Sequence, residues 1–206
     1  MDGTLVDSGA SVLRAWQWTA ERLELPFALF EPYLHGIPAD QVLDRVASFV
    51  PVEVRSSVVA EMLARQASDT DGVVAVPGAA EALASLPADR WTVVTSADRA
   101  LAVSRIRAAG LPLPRQLVTA ELTQVGKPAP DPYLYGAARL EVLPAACLVV
   151  EDSPAGVRSG RAAGCEVLGL RTSVADLADV DWLVSDLTEV VFHGDDVGVG
   201  ARLRLE

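Results

Sequence analysis

From Val93 onward, short continuous apolar runs alternate with stretches whose apolar residues recur at helical spacing. The runs are Trp91–Val94, Leu117–Val118, Cys147–Val150, Val167–Leu170 and Trp182–Val184. Between them, helices are predicted over Arg99–Ala109, Pro132–Leu140 and Ala155–Ala163, with Gly110 and Gly164 closing the first and third. Apolar strands that are continuous rather than alternating are buried on both faces, and helices between them cover those faces. The fold class is therefore α/β, a doubly wound parallel-sheet core. The segment from Ser11 to Thr70 carries a different rhythm. Val12, Ala15, Trp16, Thr19 and Leu23 share one helical face, as do Val42, Val46 and Phe49, and then Val58, Met62 and Ala67. Ser8 or Ser11 would cap the first of these helices, while Pro26 and Pro51 punctuate the joins. No strand is expected from Ser11 to Thr70, and a helical insert is placed between Asp7 and Pro77. Trp16 and Trp18 read as packing residues within it. The tail from His193 to Glu206, rich in glycine and aspartate, reads as a loop or a frayed end.

Composition narrows the partners. A formal charge of −11 disfavours nucleic acid and anionic membrane, both of which need a basic surface. No apolar run reaches the roughly 20 residues of a membrane span, and the start does not resemble a secretory signal. Cys147 and Cys165 sit beside apolar runs and read as buried free thiols in a reducing cytoplasm. The 17 basic residues include a single lysine, Lys127; the rest are arginine.

In a doubly wound sheet, ligands bind beyond the carboxyl ends of the strands. Thr95 and Ser96 follow the run ending at Val94, Glu151 and Asp152 follow Val150, and Gly126-Lys127-Pro128 follows the Leu117 strand after a short turn. Asp2-Gly3-Thr4-Leu5-Val6-Asp7-Ser8 stands at the start. Taken singly, these signals are modest. Glu151-Asp152-Ser153 fits a helix cap as well as it fits oxygen ligands for Mg²⁺. Hydroxyls at Thr95 and Ser96 are the ordinary furniture of a strand–helix junction. Lys127 is sharper, because an arginine-dominated chain that keeps one lysine between Gly126 and Pro128 calls for a compact point charge; a solvated loop lysine is the weaker alternative.

Together and in order, Asp2-Gly3-Thr4, Thr95-Ser96, Gly126-Lys127-Pro128 and Glu151-Asp152-Ser153-Pro154-Ala155-Gly156 resemble the motifs of the haloacid dehalogenase-like hydrolase superfamily. The insert's position resembles the small helical cap of the β-phosphoglucomutase-like branch. His35-Gly36, Pro77-Gly78 and the Gly126–Gly164 stretch are similar to phosphatases of hexitol, deoxyglucose and glycerol phosphates. The resemblance implies a Rossmann-like hydrolase core over residues 1–10 and 77–206 and a cap over 11–76. It also implies a monomeric cytoplasmic phosphatase of small sugar or polyol phosphates, dependent on Mg²⁺ and working through an aspartyl-phosphate. In that family the first motif is Asp-x-Asp-Gly-Thr after a central strand. The nucleophilic aspartate and that strand would then lie ahead of Met1, which is read as an internal methionine. The family pattern makes Asp2 the general acid and base. Glu151, Asp152 and the Asp2 carbonyl would hold the metal, and Thr95, Ser96, the Ala97 amide and Lys127 the phosphate. His35 and Gly36 would face the sugar, although cap packing explains His35 equally well. Within the superfamily, Asp2 argues against dehalogenases, and a cap without lysine argues against phosphonate-cleaving members. A β-phosphoglucomutase remains the enzymatic rival. A phosphate-sugar sensor without the nucleophile is the non-catalytic one.

Overall fold

A computed structural model describes residues 1–34, 38–194 and 199–203. The chain turns tightly at Met1, whose carbonyl accepts from the amides of Thr4, Leu5 and Val6, and enters strand β1 (Val6–Asp7). Helices α1 (Gly9–Arg22), α2 (Ala39–Val46) and α3 (Val52–Ser68) follow, and β2 (Val74–Ala75) then returns beside β1. β1 and β2 pair antiparallel, with Val6 opposite Ala75 and Asp7 opposite Val74. The helical segment thus leaves and rejoins the rest of the chain through one short ribbon.

The remainder alternates as its pattern predicts. Helix α4 (Ala79–Ala84) precedes β3 (Val93–Val94), α5 (Arg99–Ala108), β4 (Leu117–Val118) and α6 (Asp131–Arg139). Then come β5 (Leu148–Glu151), α7 (Pro154–Ala162), β6 (Glu166–Leu170) and β7 (Trp182–Val184). β3 pairs parallel with β4, and β5 with β6 and β6 with β7 likewise. Among the described residues these form two sheets, with no strand pairing between β3 and β5. Val93, Val118, Val167, Leu168, Leu170 and Val184 are buried, which is why their runs lack the alternation of a half-exposed strand. Asp98 caps α5 by accepting from the Leu101 amide at 2.8 Å, and Ser153 caps α7 by accepting from the Gly156 amide at 3.1 Å. Both helices stop at left-handed glycines, Gly110 and Gly164.

The helices α1–α3 bury a cluster of their own. Trp16 packs on Phe30 with ring centroids 5.5 Å apart, over Val42, Leu43, Val58 and Met62. Trp18 is half-buried there, beneath the Arg65 guanidinium. The helical spacing misplaces Phe49. Helix α2 stops at Val46, since Ala47 leaves the helical region at φ −134°, and Phe49 is 72% exposed. Ser8 does occupy the position before α1, but its hydroxyl caps nothing and donates to Asp2 instead. The tail is neither loop nor frayed end over its described part. β8 (Val190–Gly194) and β9 (Val199–Leu203) form an antiparallel hairpin whose Val190 and Phe192 join the main core. Both cysteines are free thiols, Cys165 buried and Cys147 half-buried. Among the described residues no helix is long and apolar enough to cross a membrane.

Candidate active site

At the carboxyl end of β5 the chain turns into α7 through Glu151-Asp152-Ser153, and the two acids take different surroundings. The Glu151 side chain is 3% exposed, and its Oε1 accepts from Lys127 Nζ at 2.5 Å and from the Tyr133 hydroxyl at 2.6 Å. Its Oε2 accepts from the amides of Asp152 and Ser153 and from the Ser153 hydroxyl. Burial alone would raise this carboxyl's pKa. The Lys127 charge, with the Lys127 and Tyr133 hydrogen bonds, outweighs burial and holds it below the ordinary carboxylate range. Burial and the Glu151 charge push the Tyr133 phenol well above its ordinary pKa, so that it stays a donor. Lys127 also donates to the Val94 carbonyl at 3.1 Å and lies over the Tyr133 ring. One ammonium thus joins the tip of β3 to the tip of β5.

The close fit behind Glu151 depends on Gly156. A Cβ there would stand 1.9 Å from the Glu151 carboxyl carbon, whereas at Gly126 it would meet nothing within 4 Å. Gly156→Ala is therefore expected to destabilise the fold by about 1–3 kcal/mol through overpacking, and Gly126→Ala by less than about 0.5 kcal/mol. Urea unfolding of the two variants would check this.

Asp152 lacks such charge compensation. It is 6% exposed; Oδ1 accepts from the Thr4 hydroxyl at 2.7 Å, and Oδ2 from the Ser173 hydroxyl. Among the described residues no basic side chain pairs with it. Gly3, in the left-handed region at φ 71°, lets the first loop press onto this carboxylate, since a Cβ there would lie 2.0 Å from Oδ2. Thr172 holds the same loop by donating to the Gly3 carbonyl. A buried carboxylate with no basic partner among the described residues suits a hard metal ion, and the Asp2 carbonyl, which accepts no hydrogen bond among those residues, is a second oxygen of the right kind. Glu151, predicted as a ligand, already has its charge matched by Lys127. No group of three or more His, Cys, Asp or Glu side chains gathers among the described residues.

At the tip of β3, Thr95 is buried; its amide donates to the Val118 carbonyl, and its hydroxyl accepts from the Ala97 amide at 3.1 Å. Ser96 is exposed. Of the predicted phosphate grip, the Thr95 hydroxyl and the Ala97 amide thus satisfy each other, and Ser96 faces solvent. The Asp2 carboxylate turns toward neither Asp152 nor Glu151. It accepts from Ser8 at 2.7 Å and from Arg105 at 2.8 Å. His35 and Gly36 lie outside the described residues. Sequence reasoning missed Tyr133, Ser173, Thr172 and Arg105. The hydroxyl pair follows the β6 run just as Thr95-Ser96 follows β3, so the strand-tip rule reaches it. Arg105 shares a helical face with Leu101, Ala102 and Ile106, an apolar setting that marks an unusual arginine.

A family model described as haloacid dehalogenase-like hydrolase matches residues 1–164. Hexitol phosphatase A of Escherichia coli (strain K12) is 38% identical over 197 residues, spanning 92% of this chain and 90% of that protein. Glycerol-1-phosphate phosphohydrolase 2 of Saccharomyces cerevisiae is 31% identical over 89% of this chain and 75% of that protein. Among solved structures, a hydrolase from Pseudomonas syringae superposes with a TM-score of 0.78 over 91% of each chain at 22% identity, a likeness of fold.

Proposed function

The chain belongs to the haloacid dehalogenase-like hydrolases, and from that premise we propose that it is a phosphoric monoester hydrolase acting on small sugar or polyol phosphates. The observation that carries this reading is the pair of neighbouring, differently balanced acids. Glu151 is neutralised by Lys127, while Asp152 is buried without a cation beside the Asp2-Gly3-Thr4 loop. Phosphoryl transfer depends chiefly on positioning and charge stabilisation, which such a strand-tip arrangement supplies.

In the proposed mechanism an aspartate carboxylate attacks phosphorus in line and forms an aspartyl-phosphate as the alcohol departs. Asp2 gives its proton to the leaving oxygen, then takes one from the water that opens the intermediate. Ser96 and Lys127 bind the phosphoryl oxygens, Thr95 and Ala97 shape the turn beneath them, and Glu151 holds Lys127 in place. Mg²⁺, bound by Asp152 and the Asp2 carbonyl, would neutralise phosphoryl charge. His35 and Gly36 would meet the sugar.

The test is phosphate release from hexitol, glycerol and 2-deoxyglucose phosphates. The chain is assayed as it stands and lengthened by an apolar strand ending in aspartate, with Mg²⁺ or with EDTA. The expected result is release by the lengthened chain that EDTA abolishes. Glucose 1-phosphate converted to its 6-phosphate without release would favour a mutase. Inactivity of the lengthened chain on every ester would overturn the reading.

A further inference from the structure

Arg105 belongs to α5, on the core side, but its guanidinium lies where the helical insert rejoins the core. Its side chain is 4% exposed. One terminal nitrogen donates to Asp2 Oδ1 at 2.8 Å, and the other donates to Gln66 Oε1 at 2.8 Å. Gln66 is itself buried, in the last turns of α3. The same junction is fastened by the Ser104 hydroxyl, which donates to the Ala67 carbonyl at 2.6 Å, and by the Ser11 hydroxyl on the Asp69 carbonyl at 2.9 Å. The Nε of Arg105 is buried with no hydrogen-bond partner among the described residues. Packing does not explain this residue. Its helical neighbours Leu101, Ala102 and Ile106 are apolar and buried, and an apolar side chain there would avoid placing a cation in low dielectric.

We infer that Arg105 is a positioning residue that ties the Asp2 carboxylate to the seat of the helical insert, through Gln66. The planar guanidinium holds its two acceptors at a fixed separation, so a shift of α3 on the core is transmitted to Asp2 and the reverse. A lysine could hold Asp2 but could not span both partners. The role in catalysis rests on the proposed reading of Asp2 as the acid–base group; the mechanical coupling does not.

Amide hydrogen exchange on the full chain tests the coupling. Asp2→Asn should speed exchange in the Gln66–Asp69 turn, which Asp2 does not touch, by roughly three- to tenfold. By reciprocity, Gln66→Ala should speed exchange at Leu5–Ser8 by a comparable factor. In an Arg105→Lys background both effects should vanish. If that background does not fold, the two reciprocal single variants still decide. The inference is overturned if Asp2→Asn leaves the Gln66–Asp69 turn unchanged, or changes it equally with lysine at 105. In phosphate release by the lengthened chain, Gln66→Ala should lower kcat about tenfold with KM held, a split that general loosening would not give. Absent phosphate release in every variant, with exchange coupling intact, would sink the phosphatase reading alone. Normal kcat in Gln66→Ala without coupling would sink this inference alone.

Discussion

Lys127→Met is expected to destabilise the protein by roughly 3–5 kcal/mol, the usual consequence of removing one partner from a buried ion pair. Methionine fills the space of the lysine stem, so the loss is electrostatic rather than a cavity. Glu151 would keep its Tyr133 and Ser153 hydrogen bonds but lose the ammonium that offsets its burial, at a site where the carboxylate is 3% and the lysine 9% exposed. Against a typical total of about 5–15 kcal/mol, this is a large fraction. Urea unfolding would measure it, and a double-mutant cycle separates causes. Glu151→Gln added to Lys127→Met should recover part of the loss, because a neutral amide no longer needs the cation. A loss below about 1 kcal/mol would mean that water, not Lys127, balances Glu151.

Asp2→Asn is expected to lower kcat for sugar-phosphate hydrolysis by about 10²–10⁴-fold, the range that a positioned acid or base contributes. Asparagine keeps the size of the side chain and can still accept from Ser8, the partner of Asp2 at 2.7 Å, but it loses the charge that pairs with Arg105 at 2.8 Å and cannot carry a proton. The effect should depend on the leaving group. An alkyl alcohol departs poorly without protonation, whereas nitrophenolate needs none, so the variant should form its covalent intermediate from nitrophenyl phosphate nearly as fast as the parent. Single-turnover kinetics on the lengthened chain would resolve the two steps. Equal losses for both substrates would remove Asp2 from the role of acid.

The parallel strands were legible because burial on both faces leaves a continuous apolar run, and the helices between them because 3.6-residue spacing is hard to imitate. β1 and β2 escaped notice, although Val73–Val76 is a continuous apolar run like those of the parallel strands. The short apolar run Val190–Phe192 was overshadowed by the glycines and aspartates that follow it, and its alternate burial shows only in the fold. In the site, Lys127 was found by its rarity, and Glu151 and Asp152 by their place after a strand. What sequence could not supply was their division of labour. That depends on Tyr133 and Lys127 converging on one acid and Thr4 and Ser173 on the other, contacts between residues distant along the chain. Arg105 hid among surface-type arginines, and only its apolar neighbours gave it away.

The ribbon of β1 and β2 has a consequence for how such enzymes diversify. Its strands run side by side, with Asp7 opposite Val74, so the excursion between them begins and ends about 5 Å apart. Any module with similarly close termini could be spliced at this doorway without forcing the catalytic scaffold to readjust, and closing a longer excursion adds only about 0.6 kcal/mol per doubling. The helical excursion can therefore be exchanged as a cassette while the scaffold beneath stays put.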